Sequence, residues 1–141
     1  RVAKGFSERV WLSWTNRGHQ PDQLPSTEAL SKAVDFSIEA DVECTLINCS
    51  HADMASNSIK ELKRASRFGI FANSSTFKEV DLSIATKDVD AIHHLNSEKI
   101  SAKEYAMIAL SWAKEGAYVV GGCCGTTVEH TREIKLLMDS L

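Results

Sequence analysis

The sequence predicts an α/β fold of four strand–helix units, because short strand-like runs alternate with amphipathic helical segments along the chain. The runs 10–14, 44–47, 68–72 and 118–120 are short, apolar and rich in strand formers, and each is followed by a segment with helical spacing of apolar residues. Such alternation implies a parallel sheet with right-handed crossovers. Four units suit either an open doubly wound sheet or half of an eight-fold barrel.

The first two helices are predicted from a capping residue and from apolar periodicity. Ser26 is expected to be the N-cap of the first helix. Its apolar stripe is expected to hold Leu30, Val34 and Ile38. A second helix is predicted over 53–65, after the second strand.

The chain after the third strand divides into a long loop and two clear helices. Residues 73–100 are polar and weakly periodic, so we expect an extended loop with at most a short element near 89–92. Ser101 and Glu104 fit a capping box, and Thr127 is expected to cap the last helix. The helix after Ser101 carries one apolar stripe, formed by Tyr105, Ile108, Ala109 and Trp112.

The composition indicates that residues 1–141 form a single globular domain. If the chain is half of a barrel, that domain is a partial one. Hydrophobic residues make up 43% of the sequence and charged residues 25%, and the net charge is −3, which gives no reason to expect nucleic acid as a partner. No apolar run is long enough to span a bilayer, and the first residues lack the apolar stretch of a signal peptide. We therefore expect a cytoplasmic protein whose thiols are reduced and available for metal binding or catalysis.

Three of the four cysteines follow predicted strands, at the end where parallel α/β folds carry their chemistry. Cys49 follows the second strand, and the adjacent Cys123 and Cys124 follow the fourth. Cys44 begins a strand and is expected to be a small core residue at the opposite end. Both adjacent thiols can reach one ion only if the backbone turns sharply, and three glycines permit such a turn: Gly121, Gly122 and Gly125.

Three thiolates suit zinc, and the lack of a well-placed fourth thiol favours a catalytic site with one open position over a structural site. A zinc dication with three thiolates carries a net charge of −1, so it is a poor Lewis acid for water and a good holder of another soft ligand. A substrate thiol bound there loses its proton and stays nucleophilic. Attack of that thiolate on an activated methyl group then gives a thioether.

Two motifs resemble those of a known family. The run Gly-Gly-Cys-Cys-Gly-Thr-Thr-Val-Glu-His at 121–130 is similar to the terminal zinc motif of homocysteine S-methyltransferases. The run Leu-Ile-Asn-Cys-Ser at 46–50 resembles the Asn-Cys signature that ends the sixth barrel strand of that family. Residues 11–14 resemble the fifth strand, and residues 72–74 the end of the seventh. The resemblance thus implies that this chain is the C-terminal half of a (βα)8 TIM-type barrel.

The resemblance also implies a site and a reaction. Cys49, Cys123 and Cys124 match the family's zinc ligands, and Asn73 is expected to lie near the substrate. The implied activity is zinc-dependent methyl transfer to homocysteine, a step of methionine biosynthesis, with homocysteine and a methyl donor as small-molecule partners. The donor is left open, as is homocysteine against a related thiol or selenol.

Departures from the family pattern limit what the resemblance implies. Val128 stands where the family has proline, and the segment after Asn73 is unlike the family's, which leaves the methyl-donor side open. The first four strand–helix units, which hold the substrate's amine and carboxylate in the family, are absent. The chain alone is therefore expected to lack residues needed for turnover. It is expected to pair with a complementary half, to self-associate, or to be a fragment of a longer chain.

Two other functions stay open, namely a zinc-binding module without catalysis and a redox protein in which Cys123 and Cys124 cycle with Cys49.

The histidines are predicted to be ordinary surface residues. His51 lies close to Cys49 and suits a fourth ligand or a supporting group, but a solvated loop position is the favoured interpretation. His130 is expected at the surface, in the first turn of the last helix.

Overall fold

The computed structural model describes residues 5, 7, 9–18, 20–77 and 97–140. This part of the chain contains eleven helices and strands. In chain order they are β1 (Trp11–Trp14), α1 (Leu30–Glu39), β2 (Cys44–His51), α2 (Ala52–Asn57), α3 (Ile59–Leu62), β3 (Phe68–Asn73), β4 (Ser75–Phe77), β5 (Ser97–Lys99), α4 (Ala102–Lys114), β6 (Val119–Gly122) and α5 (Val128–Met138). None of these helices is long and apolar enough to cross a membrane.

The four predicted strands form one parallel sheet in the order β1-β2-β3-β6. The α/β prediction of four units is therefore confirmed. Because all four strands run the same way, their C-terminal ends lie along one edge of the sheet. Cys49 lies near the end of β2 at this edge, and Cys123 and Cys124 follow β6. Among the described residues, β1 and β6 each have one neighbour, as expected of an incomplete barrel.

The loop prediction for 73–100 is wrong at both ends of that segment. Residues 75–77 form β4, which pairs antiparallel with β5 at 97–99. The pairing joins stretches far apart in sequence, so no local periodicity announces it. The short element expected near 89–92 lies outside the described residues, as does the histidine pair at 93–94.

Ser26 is not the N-cap of α1, which begins three residues later than that prediction places it. The residue before the helix is Ala29, and no side chain caps it. The Ser26 hydroxyl donates instead to the Glu28 carboxylate at 3.0 Å. Thr27 has a φ of 72°, so the chain makes a left-handed turn there before the helix can start. The first helical N–H, that of Leu30, donates to the carbonyl of Asp22 at 2.7 Å.

Two further details of the first helices differ from prediction. Ile38 is 46% exposed, because the buried stripe of α1 continues through Ser37 instead. The helix predicted over 53–65 is split into α2 and α3 at Ser58. The Ser58 hydroxyl is buried and lies 3.0 Å from the Met54 carbonyl and 2.9 Å from the Pro21 carbonyl, so its single proton is shared between the two acceptors at the break.

The core lies between the sheet and its helices. The predicted stripe of α4 is confirmed, since Tyr105, Ala109 and Trp112 have no exposed surface and Ile108 packs against them. The Trp112 indole N–H donates to the Ser56 hydroxyl at 2.7 Å, so its one polar group is satisfied. These residues hold α4 against the sheet, behind the strands that lead to the cysteines.

The predicted capping box of α4 is also confirmed. The backbone N–H of Glu104 donates to the Ser101 hydroxyl at 3.3 Å, and that of Ser101 donates to the Glu104 carboxylate at 2.9 Å. The bonds from the Ser101 side chain and backbone hold the pKa of the Glu104 carboxyl below its usual value. Two N–H groups that the helix leaves unpaired are thereby satisfied.

Ser101→Ala should lower the free energy of unfolding by about 1 kcal/mol at neutral pH, because one N-cap bond is lost. Because the pKa of Glu104 is lowered from 4.5 in the folded protein, its ionised carboxylate stabilises the fold at pH values above 4.5. This stabilisation is lost as the pH falls through the lowered pKa. The deficit of Ser101→Ala should therefore shrink in acid. Urea unfolding at pH 7 and pH 3 measures it. Ser111→Ala, on the exposed face of the same helix, is the control and should cost little at either pH.

Candidate metal centre

Cys49 lies at an irregularity in β2 that redirects its side chain. The pairing of β2 with β3 shifts between Asn48 and His51, and Cys49 has a φ of 50°. A left-handed non-glycine residue costs about 1–2 kcal/mol, so the surroundings must hold it in place. The Ser50 hydroxyl donates to the Asn48 carbonyl at 3.1 Å and accepts the N–H of Asn16 at 3.0 Å. These bonds fix the backbone on both sides of the cysteine.

The turn that carries Cys123 and Cys124 is hydrogen-bonded to the end of β3. The N–H of Cys123 donates to the Ala72 carbonyl at 2.8 Å. The N–H of Cys124 donates to the Asn73 side-chain oxygen at 3.0 Å, and its carbonyl accepts from the N–H of Ser74 at 3.0 Å. Three consecutive residues of one strand end therefore set the path of the two cysteines.

Glycine serves this turn in two different ways. Gly125 alone of the three flanking glycines has a positive φ, at 77°, so it is the one that uses the left-handed conformation open to glycine. Gly122 is needed for space: a Cβ there would lie 2.4 Å from Thr126 Oγ1 and 2.6 Å from Thr126 Cβ. The Thr126 hydroxyl donates to the Cys123 carbonyl at 2.7 Å and closes the turn.

The structure brings the three predicted ligands together. Their sulfur atoms lie within 4.8 Å of one another, although Cys49 and Cys123 are 74 positions apart in sequence. The sulfurs of Cys49 and Cys123 are in contact at 2.6 Å. Sulfurs that share a tetrahedral zinc at about 2.3 Å stand about 3.8 Å apart. Small side-chain rotations therefore suffice for a common ion, and the donor set fits zinc.

The fourth cysteine is placed as predicted. Cys44 begins β2, at the opposite end of the sheet, and has no exposed surface. Burial raises the pKa of the Cys44 thiol to about 11. A neutral, buried thiol at the N-terminal end of a strand is a packing residue.

The contact between Cys49 and Cys123 shifts the pKa values of the two thiols in opposite directions. The hydrogen bond to Cys123, followed by burial, raises the pKa of the Cys49 thiol to about 12. Burial also opposes ionisation of Cys123, but hydrogen bonds from Cys49 and Cys124 outweigh it and hold the pKa of Cys123 below its ordinary value. Cys123 is therefore the more acidic thiol of the pair. A bound cation would favour ionisation of all three thiols.

A cleft of about 780 Å³ opens over the thiols. Its lining includes Cys49, Cys124, Asn73, His51, Ser75 and Lys99. Asn73 borders the cleft, and its side-chain oxygen accepts the N–H of Cys124 in the turn. The volume is within the range of sites for small molecules.

Both histidines near the site contradict their predicted surface positions. His51 is 9% exposed, and its Nδ1 lies 2.9 Å from the Ser75 hydroxyl, so it is a buried residue beside the cleft. His130 is also 9% exposed, and its Nδ1 accepts the N–H of Thr127 at 3.1 Å. The Thr-x-x-His spacing has the form of a capping box and is the signal that could have placed His130. The irregularity that buries His51 has no comparable sequence signal.

Substitutions at Cys49 should reveal the strain at this position in the metal-free protein. The free energy of unfolding of Cys49→Gly should be about 1 kcal/mol higher than that of Cys49→Ala, because glycine adopts the left-handed φ without the cost that alanine has. Cys123 is not in this conformation, so Cys123→Gly should be the less stable of its own pair. Urea unfolding in a chelator measures both pairs. The same order at both positions would contradict the account of Cys49.

Comparison with known proteins gives the family. The family model for homocysteine S-methyltransferase matches residues 2–138. The chain belongs to this family. Homocysteine S-methyltransferase YbgG of Bacillus subtilis (strain 168) is 26% identical over 144 residues, an alignment covering all of this chain and 42% of YbgG. The sequence-based recognition of a homocysteine S-methyltransferase is thus confirmed.

Solved structures agree on the fold. The oxidized form of the homocysteine methyltransferase MmuM from Escherichia coli matches with a TM-score of 0.60 and 20% identity, over 99% of this chain and 38% of MmuM. Its apo form matches with a TM-score of 0.61 and 20% identity, over 96% of this chain and 41% of MmuM. The chain thus spans about two fifths of its relatives. The four units are a partial TIM-type barrel.

Proposed function

We propose that this homocysteine S-methyltransferase chain carries the zinc centre of the enzyme, with Cys49, Cys123 and Cys124 as ligands. The observation that supports this best is the convergence of three sulfurs from two distant segments at the C-terminal ends of parallel strands. When bound, zinc would hold the substrate sulfur as a nucleophilic thiolate.

The residues around the thiols support a site for one more sulfur ligand. Among the described residues the three cysteines are the group suited to a metal, which leaves one tetrahedral position for substrate. Cys49 and Cys124 line the cleft, so an incoming thiol can approach from that side. Asn73 holds the Cys124 N–H and borders the same cleft, which gives it a place beside the substrate.

The proposed reaction transfers a methyl group to homocysteine. The homocysteine thiol loses its proton, its sulfur forms a bond to the methyl carbon, and the bond from that carbon to the donor breaks. The products are methionine and the demethylated donor, in a cytoplasmic enzyme of methionine biosynthesis.

The single partial domain of residues 1–141 is proposed to join a complementary half-barrel or a second copy. Among the described residues β1 and β6 each pair on one side alone, which supports this, as does Trp11, which is 42% exposed on β1. Sedimentation of the 141-residue chain measures it. A compact, stable monomer in dilute solution would contradict the proposal.

Metal analysis and a methylation assay test the proposed function together. Purified protein should hold about one zinc per chain, and both Cys49→Ser and Cys124→Ser should lose it. With its barrel complete, the protein should convert homocysteine to methionine with at least one of several methyl donors. Zinc without methylation by any donor would identify a binding module that lacks catalysis.

A thiol redox function is the second candidate, because the sulfurs of Cys49 and Cys123 are in contact at 2.6 Å. In that function the two thiols would form a disulfide and give two electrons and two protons to an oxidant. It predicts disulfide formation under mild oxidation and no stoichiometric metal in the reduced protein. Stoichiometric zinc in the reduced protein would instead support the methyltransferase.

A further inference from the structure

The hydroxyl of Tyr105 lies behind the metal centre, between two strands that lead to it. It is 2.8 Å from the Ala72 carbonyl of β3 and 2.8 Å from the Gly121 carbonyl of β6. Its single proton is shared between the two acceptors. Tyr105 has no exposed surface, and burial raises the pKa of its hydroxyl, which therefore stays a donor.

Both acceptors are directly connected to the cysteine turn. The Ala72 carbonyl also accepts the N–H of Cys123 at 2.8 Å. Asn73, the residue after Ala72, accepts the N–H of Cys124. Gly121 belongs to β6 and lies two residues before Cys123. One hydroxyl thus joins the backbone on both sides of the turn.

The ring of Tyr105 is held independently of its hydroxyl. It makes edge-to-face contacts with Trp112 and His130, with 5.7 Å between ring centroids in each case. His130 in turn accepts the N–H of Thr127, just after the turn. A phenylalanine at this position can keep both ring contacts and lose only the bonds to the two carbonyls.

We propose that Tyr105 is a positioning residue of the metal centre: its hydroxyl fixes the ends of β3 and β6 so that Cys123 and Cys124 face Cys49. This inference rests on the zinc site proposed above. Supporting groups of this kind change metal affinity by about 10- to 100-fold when they are removed.

Tyr105→Phe tests the proposal through metal binding. The zinc dissociation constant, measured by competition with a chelating dye, should rise about 10- to 100-fold. The thiolate-to-cobalt absorption of the Co²⁺ form should also weaken or shift, which a role confined to core packing would not cause. Circular dichroism and urea unfolding of the same samples show that the variant is folded.

Ser56→Ala is the matched control, because it removes a hydroxyl that accepts from Trp112 on the same buried stripe and donates to the Ala52 carbonyl. Neither partner belongs to β3 or β6. It should lower the unfolding midpoint and leave zinc affinity and the Co²⁺ spectrum unchanged. If Tyr105→Phe is folded and binds zinc as tightly as the wild type, the inference about Tyr105 is overturned and the proposed zinc site is unaffected. Failure of the wild type to bind zinc would overturn the proposed function as well.

Discussion

Cys123→Ala should lose bound zinc and lower homocysteine methylation by about a thousandfold or more, since a metal that stabilises the attacking group is worth several kcal/mol. The Cys123 sulfur contacts that of Cys49 at 2.6 Å, and it lies within 4.8 Å of the Cys124 sulfur. Removing it leaves two sulfurs for the metal, which is too few for the proposed site. Zinc content of the chain, and the initial methylation rate of the protein with its barrel complete, measure the effect.

Cys44→Ala is the control for Cys123→Ala. It also removes one cysteine, but from a buried position at the other end of β2. It should keep wild-type zinc content and lose only some stability. Zinc loss in Cys44→Ala, or full zinc content in Cys123→Ala, would contradict the assignment of the ligands.

Gly122→Ala should weaken zinc binding by up to about 100-fold, because overpacking costs about 1–3 kcal/mol and each 1.4 kcal/mol is tenfold in affinity. The new methyl group would lie within 2.4–2.6 Å of three side-chain atoms of Thr126. Thr126 Cβ is fixed to the backbone, so the turn itself has to move. That movement displaces Cys123, whose carbonyl accepts the Thr126 hydroxyl.

A second substitution separates crowding from other effects of Gly122→Ala. Thr126→Gly removes all three crowding atoms, together with the bond to Cys123. In the Thr126→Gly protein, adding Gly122→Ala should weaken the free energy of zinc binding by less than about 0.5 kcal/mol, which is a clear departure from additivity. Equal costs of Gly122→Ala with and without Thr126 would mean that crowding is not the cause. Zinc competition titrations of the four proteins complete the cycle.

Features set by local pattern could be predicted from the sequence. The strands were placed within two residues at each end, except that β2 continues to His51, four residues past its predicted end. The capping box at Ser101 was placed correctly, because it depends on neighbouring residues. The grouping of Cys49 with Cys123 and Cys124 followed from the rule that parallel strands end together. The chemistry of three thiols in one place then limited the choice of metal.

The features that were missed depend on contacts between distant segments. The pairing of β4 with β5 joins residues 75–77 to 97–99, which no periodicity predicts. The strained φ of Cys49 and the burial of His51 arise where β2 shifts its pairing with β3. The Tyr105 stripe was predicted as packing, but its hydroxyl bonds to two carbonyls are visible only once β3 and β6 are adjacent.

X-ray absorption at the zinc edge, with and without homocysteine, tests the central claim most directly. The reduced protein should show three sulfurs at about 2.3 Å and one lighter ligand, and homocysteine should replace the lighter ligand with a fourth sulfur. Fewer than three protein sulfurs around the ion, or an unchanged sulfur count with homocysteine bound, would contradict a three-cysteine centre that activates a substrate thiol.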